Sequence, residues 1–203
     1  EFTQAAIGWT AFLNNIDGGL YSFTNNALYM FSKGYYVRYT DFSTWDIDAG
    51  YPKPIEGNWP GFPAGFAAGI DATLWSDTNR KIYFFKGNQY IRVDPASGWN
   101  VDPGYPKQIA GNWPGFPADF AAGIDAAFWS DTNRKMYFFK EDQYIRVEPT
   151  GSWNVDPGYP KPIAGNWPGF PADFATGVDA ALWSENNSKV YFFKGTRYIR
   201  VDP

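Results

Sequence analysis

Apolar and polar positions along this chain fall into short bursts that recur. In the clearest stretch, Gly69-Ile70-Asp71-Ala72-Thr73-Leu74-Trp75 is apolar with small residues near its start, as a tightly packed inner strand requires. A polar turn from Ser76 to Arg80 follows, then the β-rich run Lys81-Ile82-Tyr83-Phe84-Phe85. Lys86-Gly87-Asn88-Gln89 reads as a hairpin loop into Tyr90-Ile91-Arg92-Val93, which predicts an antiparallel meander of three strands. Trp99 to Asp102 predicts a short outer strand. Residues 104–117 carry too many prolines for a central strand. They leave room for one short helix with Pro114 or Pro117 in its first turn.

This pattern repeats at a step of 54 residues (125 − 71 and 179 − 125) through Asp17, Asp71, Asp125 and Asp179. The same step relates Tyr29, Tyr83, Tyr137 and Tyr191, and also Arg38, Arg92, Arg146 and Arg200. One such unit cannot bury its own apolar face, so repeated units must stack or close into a ring. Four strands per unit and four units predict an all-β, four-bladed β-propeller with short peripheral helices. The blades are expected over 12–65, 66–119, 120–173 and 174–203 of a single domain. The last copy lacks its outer part, and residues 1–11 are expected to close the fourth blade; a short fourth blade is the alternative. Glu1-Phe2 is read as a cloning-site remnant.

Aromatic residues make up 21% of the chain and supply large buried area from few side chains. The net charge of −4 argues against nucleic acid as a partner. No apolar run reaches the roughly 18–20 residues of a transmembrane segment, so a soluble protein is expected, secreted or cytoplasmic. The sequence contains no histidine and no cysteine, which removes His-based triads, thiol nucleophiles and zinc–thiolate sites. No carboxylate pair stands out from the repeats for glycosidase chemistry, and a non-enzymatic protein is expected. Asn186-Asn187-Ser188 is a glycosylation sequon.

The unit resembles the hemopexin-like repeat, as in hemopexin, matrix metalloproteinase C-terminal domains, vitronectin and legume seed albumins. The resemblance rests on Gly-Ile-Asp-Ala-Ala-Phe-Trp (123–129), Lys-Met-Tyr-Phe-Phe-Lys (135–140), Gln-Tyr-Ile-Arg-Val (143–147), Gly-Tyr-Pro-Lys-Pro-Ile (158–163) and Trp-Pro-Gly-Phe-Pro (167–171). It covers residues 12–203. It implies a disc with the Ile-Asp strands innermost around an axial channel. A disulfide that ties last blade to first in some members is absent here.

Three residue sets are candidates for function. Asp17, Asp71, Asp125 and Asp179 converge on the axis, where hard cations such as Ca²⁺ take six to eight oxygens. The resemblance implies a structural Ca²⁺ held by the Asp backbone carbonyls, with a second ion level at Gly19, Thr73, Ala127 and Ala181. The alternative role for the carboxylates is to cap backbone amides. Asn58 and Trp59, Asn112 and Trp113, and Asn166 and Trp167 sit in identical Gly-Asn-Trp-Pro-Gly-Phe-Pro loops. An aromatic face beside an amide suits a sugar, and copies in one chain would add avidity; the alternative is that these tryptophans anchor the loop. Trp75, Trp129 and Trp183 read as packing. Arg38, Arg92, Arg146 and Arg200 read as salt-bridge partners of Asp46, Asp102 or Asp156.

Multivalent, lectin-like carbohydrate binding is the leading expectation, with glycans or another small molecule as ligand and a homodimer as one admissible assembly. A seed-albumin-like storage or stress protein binding ions, polyamine or haem is the alternative, as is a protein-interaction module. Bis-His haem ligation is excluded by the absence of histidine.

Overall fold

The computed structural model describes Phe12 and residues 14–202. Four antiparallel sheets stand around one axis. Blade 1 comprises β1 (Gly18–Ser22), β2 (Ala27–Ser32), β3 (Tyr35–Tyr39) and β4 (Lys53–Pro54). Blade 2 comprises β5 (Ala72–Ser76), β6 (Lys81–Lys86), β7 (Gln89–Asp94), β8 (Asn100–Val101) and β9 (Lys107–Gln108). Blade 3 comprises β10 (Ala126–Ser130), β11 (Lys135–Lys140), β12 (Gln143–Val147) and β13 (Lys161–Pro162). In blade 4, β14 (Ala180–Ser184), β15 (Lys189–Lys194) and β16 (Arg197–Val201) are the strands among the described residues. Helices are short, α1 (Ala64–Ala67) and α2 (Ala118–Ala122), with Pro63 and Pro117 at their N-caps.

The innermost strands close the ring: β1 lies beside β5 and β14, and β10 beside the same two. They approach closely because their axial residues are small. Thr73 Oγ1 donates to the Gly19 carbonyl at 2.9 Å, and a Cβ on Gly18 would sit 2.9 Å from the Thr73 Cγ2. Each blade junction then fills with aromatic rings. Phe31 meets Phe84, Phe85 meets Phe138, and Phe139 meets Phe192 at 5.3, 5.7 and 5.2 Å between centroids. Between blades 4 and 1 the filling is more aliphatic: Ile16, Leu28 and Met30, with Phe12, pack on Ala180 and Leu182. The role of residues 1–11 in closing blade 4 lies outside the described residues.

Two strand expectations need correction. The outer strand of blades 1 and 3 is the Lys-Pro pair of β4 and β13, paired to Tyr35–Tyr36 and Gln143–Tyr144, an edge strand inside the stretch read as too proline-rich for a central one. Proline is admissible there because the edge leaves its missing N–H without a ladder partner to lose. The predicted outer strand after Trp99 forms in blade 2 as β8 and reduces in blade 3 to a single Val147–Val155 bridge.

Candidate functional site

The four aspartates come together at one mouth of the axial channel, in a cavity of about 480 Å³ that Glu141 and Lys194 also line. Their carboxylates are already engaged. Each Oδ2 accepts from a backbone amide in its blade's second hairpin: Lys33, Gly87, Glu141 and Gly195, at 2.6, 2.6, 2.7 and 2.6 Å. Those four residues hold left-handed backbone, φ 46, 52, 51 and 56, a conformation in which a side chain is costly and the carboxylate bond steadies the turn. Asp125 also pairs with Lys140. Burial pushes the Asp17 carboxyl above its ordinary value, the Lys33 amide opposes this, and the Asp71 charge adds to it. Among the described residues no three acidic side chains form a metal-binding group. One oxygen of each carboxylate is thus held by a backbone amide, and the other oxygen of Asp125 by Lys140.

The tryptophan loops lie elsewhere, on the clefts between successive blades. A cleft of about 340 Å³ between blades 2 and 3 is lined by Asn112 and Trp113 together with Asn79, Tyr83, Arg92, Tyr105 and Trp153. Its counterpart between blades 3 and 4, about 220 Å³, is lined by Asn166 and Trp167 with Asn133, Tyr137, Arg146 and Tyr159. The set recurs at the first junction, where Trp59 meets Tyr29, Tyr36 and Trp99 at 5.6, 5.6 and 5.4 Å.

The stacking geometry read from the sequence needs revision. Trp59 and Trp113 are only 4% and 3% exposed, because their faces pack on rings of two blades. Trp113 touches Phe85 and Tyr90 on its own blade and Phe138 on the next. The indole Nε1–H of Trp59, Trp113 and Trp167 is buried with no acceptor, and the Oδ1 of Asn79 is buried with no donor. An unpaired buried polar atom is costly, so each is a place that a hydroxyl or water would satisfy. Asn58, Asn112 and Asn166 instead tie their own loops, donating to the carbonyls of Pro54, Gln108 and Pro162 at 3.0 Å each.

The hairpin asparagines of these clefts were not singled out from the sequence, although they obey the same step of 54. Asn25, Asn79, Asn133 and Asn187 donate to Tyr29, Tyr83, Tyr137 and Tyr191 hydroxyls at 2.6, 2.7, 2.6 and 2.7 Å. Arg92 stacks on Tyr105 and Arg146 on Tyr159, both 5.3 Å from the ring centroid. Trp99 and Trp153 reach the clefts from left-handed backbone, φ 65 and 58, which turns a rim loop back over the junction. The arginines do pair with acids: Nε of Arg38, Arg92 and Arg146 lies 2.5 Å from Asp48, Asp102 and Asp156. Asp48 replaces the expected Asp46, since Asp48 is the residue in register with Asp102.

The opposite mouth of the channel carries Trp75, Trp129 and Trp183, all buried, around a water-sized space of about 20 Å³ beside Glu185. Burial, then repulsion from Asp131, pushes the Glu185 carboxyl up to about 7. Arg134 binds Asp77 at 2.9 Å; the position in register with Arg134 one blade on is Ser188, which carries no charge.

Comparison with known proteins defines the class. The hemopexin family profile matches residues 70–118, 124–172 and 178–203, and the chain belongs to that family. It is 35% identical over 150 residues to stromelysin-1 of Equus caballus, covering 74% of this chain and 28% of that protein. The chain thus spans under a third of the stromelysin and collagenase relatives it matches. Among solved structures, a Cicer arietinum plant albumin described as showing hemagglutination aligns with TM-score 0.78 and 27% identity, over 92% of this chain and 86% of that one. A Cicer arietinum plant lectin described as having two metal binding sites aligns with TM-score 0.74 and 28% identity, over the same shares.

Proposed function

We propose that this hemopexin-family propeller is a non-enzymatic, multivalent carbohydrate-binding protein whose sites are the clefts between blades. One observation carries the reading: an aromatic-walled cleft holds both a buried donor without an acceptor, Trp113 Nε1–H, and a buried acceptor without a donor, Asn79 Oδ1. Hydroxyls give and take hydrogen bonds at once, and sugar rings present them on an apolar carbon frame. The unpaired indole N–H recurs at Trp59, Trp113 and Trp167 and supplies the valency. Similarity to a chickpea albumin described as hemagglutinating is in keeping with this. Backbone oxygens of Asp17, Asp71, Asp125 and Asp179 would hold a structural Ca²⁺ on the axis; the likeness to a lectin described as having two metal binding sites supports an ion there. Labelled protein on a glycan array, with and without chelator, tests the reading. Selective binding supports it, and a blank array removes it.

The acidic channel mouth favours a second reading at a separate place. Its four carboxylates would suit a polyamine, as in an albumin-like storage or stress protein, and titration with spermine in the presence of excess Ca²⁺ would separate the two.

A further inference from the structure

At the channel mouth opposite the four aspartates, the first hairpin of each blade follows one pattern. Phe23, Asp77, Asp131 and Glu185 are in register, as are Trp75, Trp129 and Trp183, and Arg80, Arg134 and Ser188. Residues of the first set lie towards the ring of the following blade: Phe23 packs on Trp75 at 5.7 Å between centroids, and the Glu185 charge acts on the Tyr21 hydroxyl of blade 1.

Between blades 2 and 3 the pattern is complete. Arg134 lies over its own Trp129, 5.6 Å from the ring centroid, and its Nη2 reaches back to Asp77 of blade 2 at 2.9 Å. A guanidinium is thereby held between an aromatic face and a carboxylate. Arg80 lies likewise over Trp75 at 5.8 Å and comes within 3.8 Å of Asp77. Between blades 3 and 4 the same slot falls between Asp131 and Trp183, and the residue in register to fill it is Ser188. Among the described residues, no lysine or arginine pairs with Asp131 or Glu185, and none lies over Trp183. The rest of the slot is built. The Trp129 indole N–H orients Asp131 at 2.9 Å. The Glu185 carboxyl lies beside Asp131 and the Trp183 indole. The Trp183 Nε1–H, in a ring only 6% exposed, is buried facing that carboxyl and reaches hydrogen-bond geometry with no acceptor. Burial, then the Asp131 charge, lifts the Glu185 carboxyl to about 7, the mark of two acids crowded together without a cation between them.

We propose that the slot between Asp131 and Trp183 takes a guanidinium group from outside the chain, lying on the Trp183 ring as Arg134 lies on Trp129 and pairing with Asp131 as Arg134 pairs with Asp77. A guanidinium suits the slot better than an ammonium because its flat face stacks on an indole while its edge presents two N–H groups to a carboxylate. Glu185 stands beside Asp131 as a second acceptor. A free guanidinium compound and an arginine of a partner chain present the same group. The site is separate from the tryptophan-loop clefts and does not rest on their binding a glycan.

The repeat supplies its own competitor. Ser188 and Arg134 share one backbone conformation, φ 54 and 55, so Ser188→Arg can fill the slot from within the chain. At pH 8, titration with agmatine or with acetyl-arginine amide should shift the Trp183 indole N–H resonance saturably. Acetyl-lysine amide should bind several-fold more weakly. Ser188→Arg should abolish the response and Ser188→Ala should keep it. Asp131→Asn should weaken binding about threefold to fivefold, as for an exposed ion pair, and tests the same slot should Ser188→Arg fail to fold. Tighter binding of agmatine would make the source a free compound, and tighter binding of the arginine amide would make it a partner chain. No saturable shift, an equal response to acetyl-lysine amide, or a response that survives Ser188→Arg would overturn the proposal.

Discussion

Thr73 and Gly18 share one space on the propeller axis: the Thr73 methyl fills the position a Cβ on Gly18 would need, 2.9 Å away, while its hydroxyl binds the Gly19 carbonyl. The other inner strands carry alanine at both positions, Ala126 and Ala127, Ala180 and Ala181. One larger residue is thus offset by glycines on the neighbouring strand. Gly18→Ala should destabilise the protein by about 1–3 kcal/mol, the usual cost of overpacking. Adding Thr73→Ala should recover part of that loss, and a double-mutant cycle in urea measures the coupling. Simple additivity of the two changes would show that they do not compete for space.

The Asp125 carboxylate caps the Glu141 amide at 2.7 Å and pairs with Lys140. Asp125→Ala should cost about 1.5–3 kcal/mol, as for hydrogen bonds to a charged group. Because backbone oxygens are assigned to the axial ion, the rise in Tm on adding Ca²⁺ should persist in Asp125→Asn. Loss of that rise with the fold retained would make the carboxylate a ligand.

Glu185 gives a pH dependence with a definite sign. Its carboxyl is held up to about 7 against an ordinary 4.5, so the folded state keeps a proton that the unfolded chain releases. This contribution is present in full below about pH 4.5, is lost as pH rises towards about 7, and stays lost above. Glu185→Gln should therefore flatten the fall in Tm between those values and raise Tm at pH 8. An unchanged difference between wild type and variant across that window would refute the assignment.

Much of the fold was legible because a strict step of 54 fixes blade number, and aromatic strands fix the inner three strands of each blade. The Lys-Pro edge strands were not, because a two-residue edge pairing has no periodicity of its own and proline argues against it. The aspartate ring was legible as a position, but whether carboxylate or carbonyl faces the axis depends on hairpin amides some 16 residues away. Trp113 was read as either platform or anchor. Its burial is set by rings on two blades, and the partner Phe138 belongs to the following copy. Asn79 escaped notice because a polar residue on a hairpin looks like solvated surface until the next blade's loop closes over it.

Trp113→Phe separates the two roles of that ring. Phenylalanine keeps most of the packing and removes the indole N–H, which has no partner in the free protein. Glycan affinity at that cleft should fall about fivefold to tenfold, on the order of 1 kcal/mol for a lost hydrogen bond. The loss of ring volume should cost little stability beside the about 3–5 kcal/mol expected for alanine.

Valency is the most direct test of the account. Native mass spectrometry of the protein titrated with a glycan selected on the array should show up to three bound per chain, falling to two in Trp113→Phe at concentrations that just saturate wild type. A single bound glycan that Trp113→Phe leaves in place, or none at all, would contradict binding at the blade junctions.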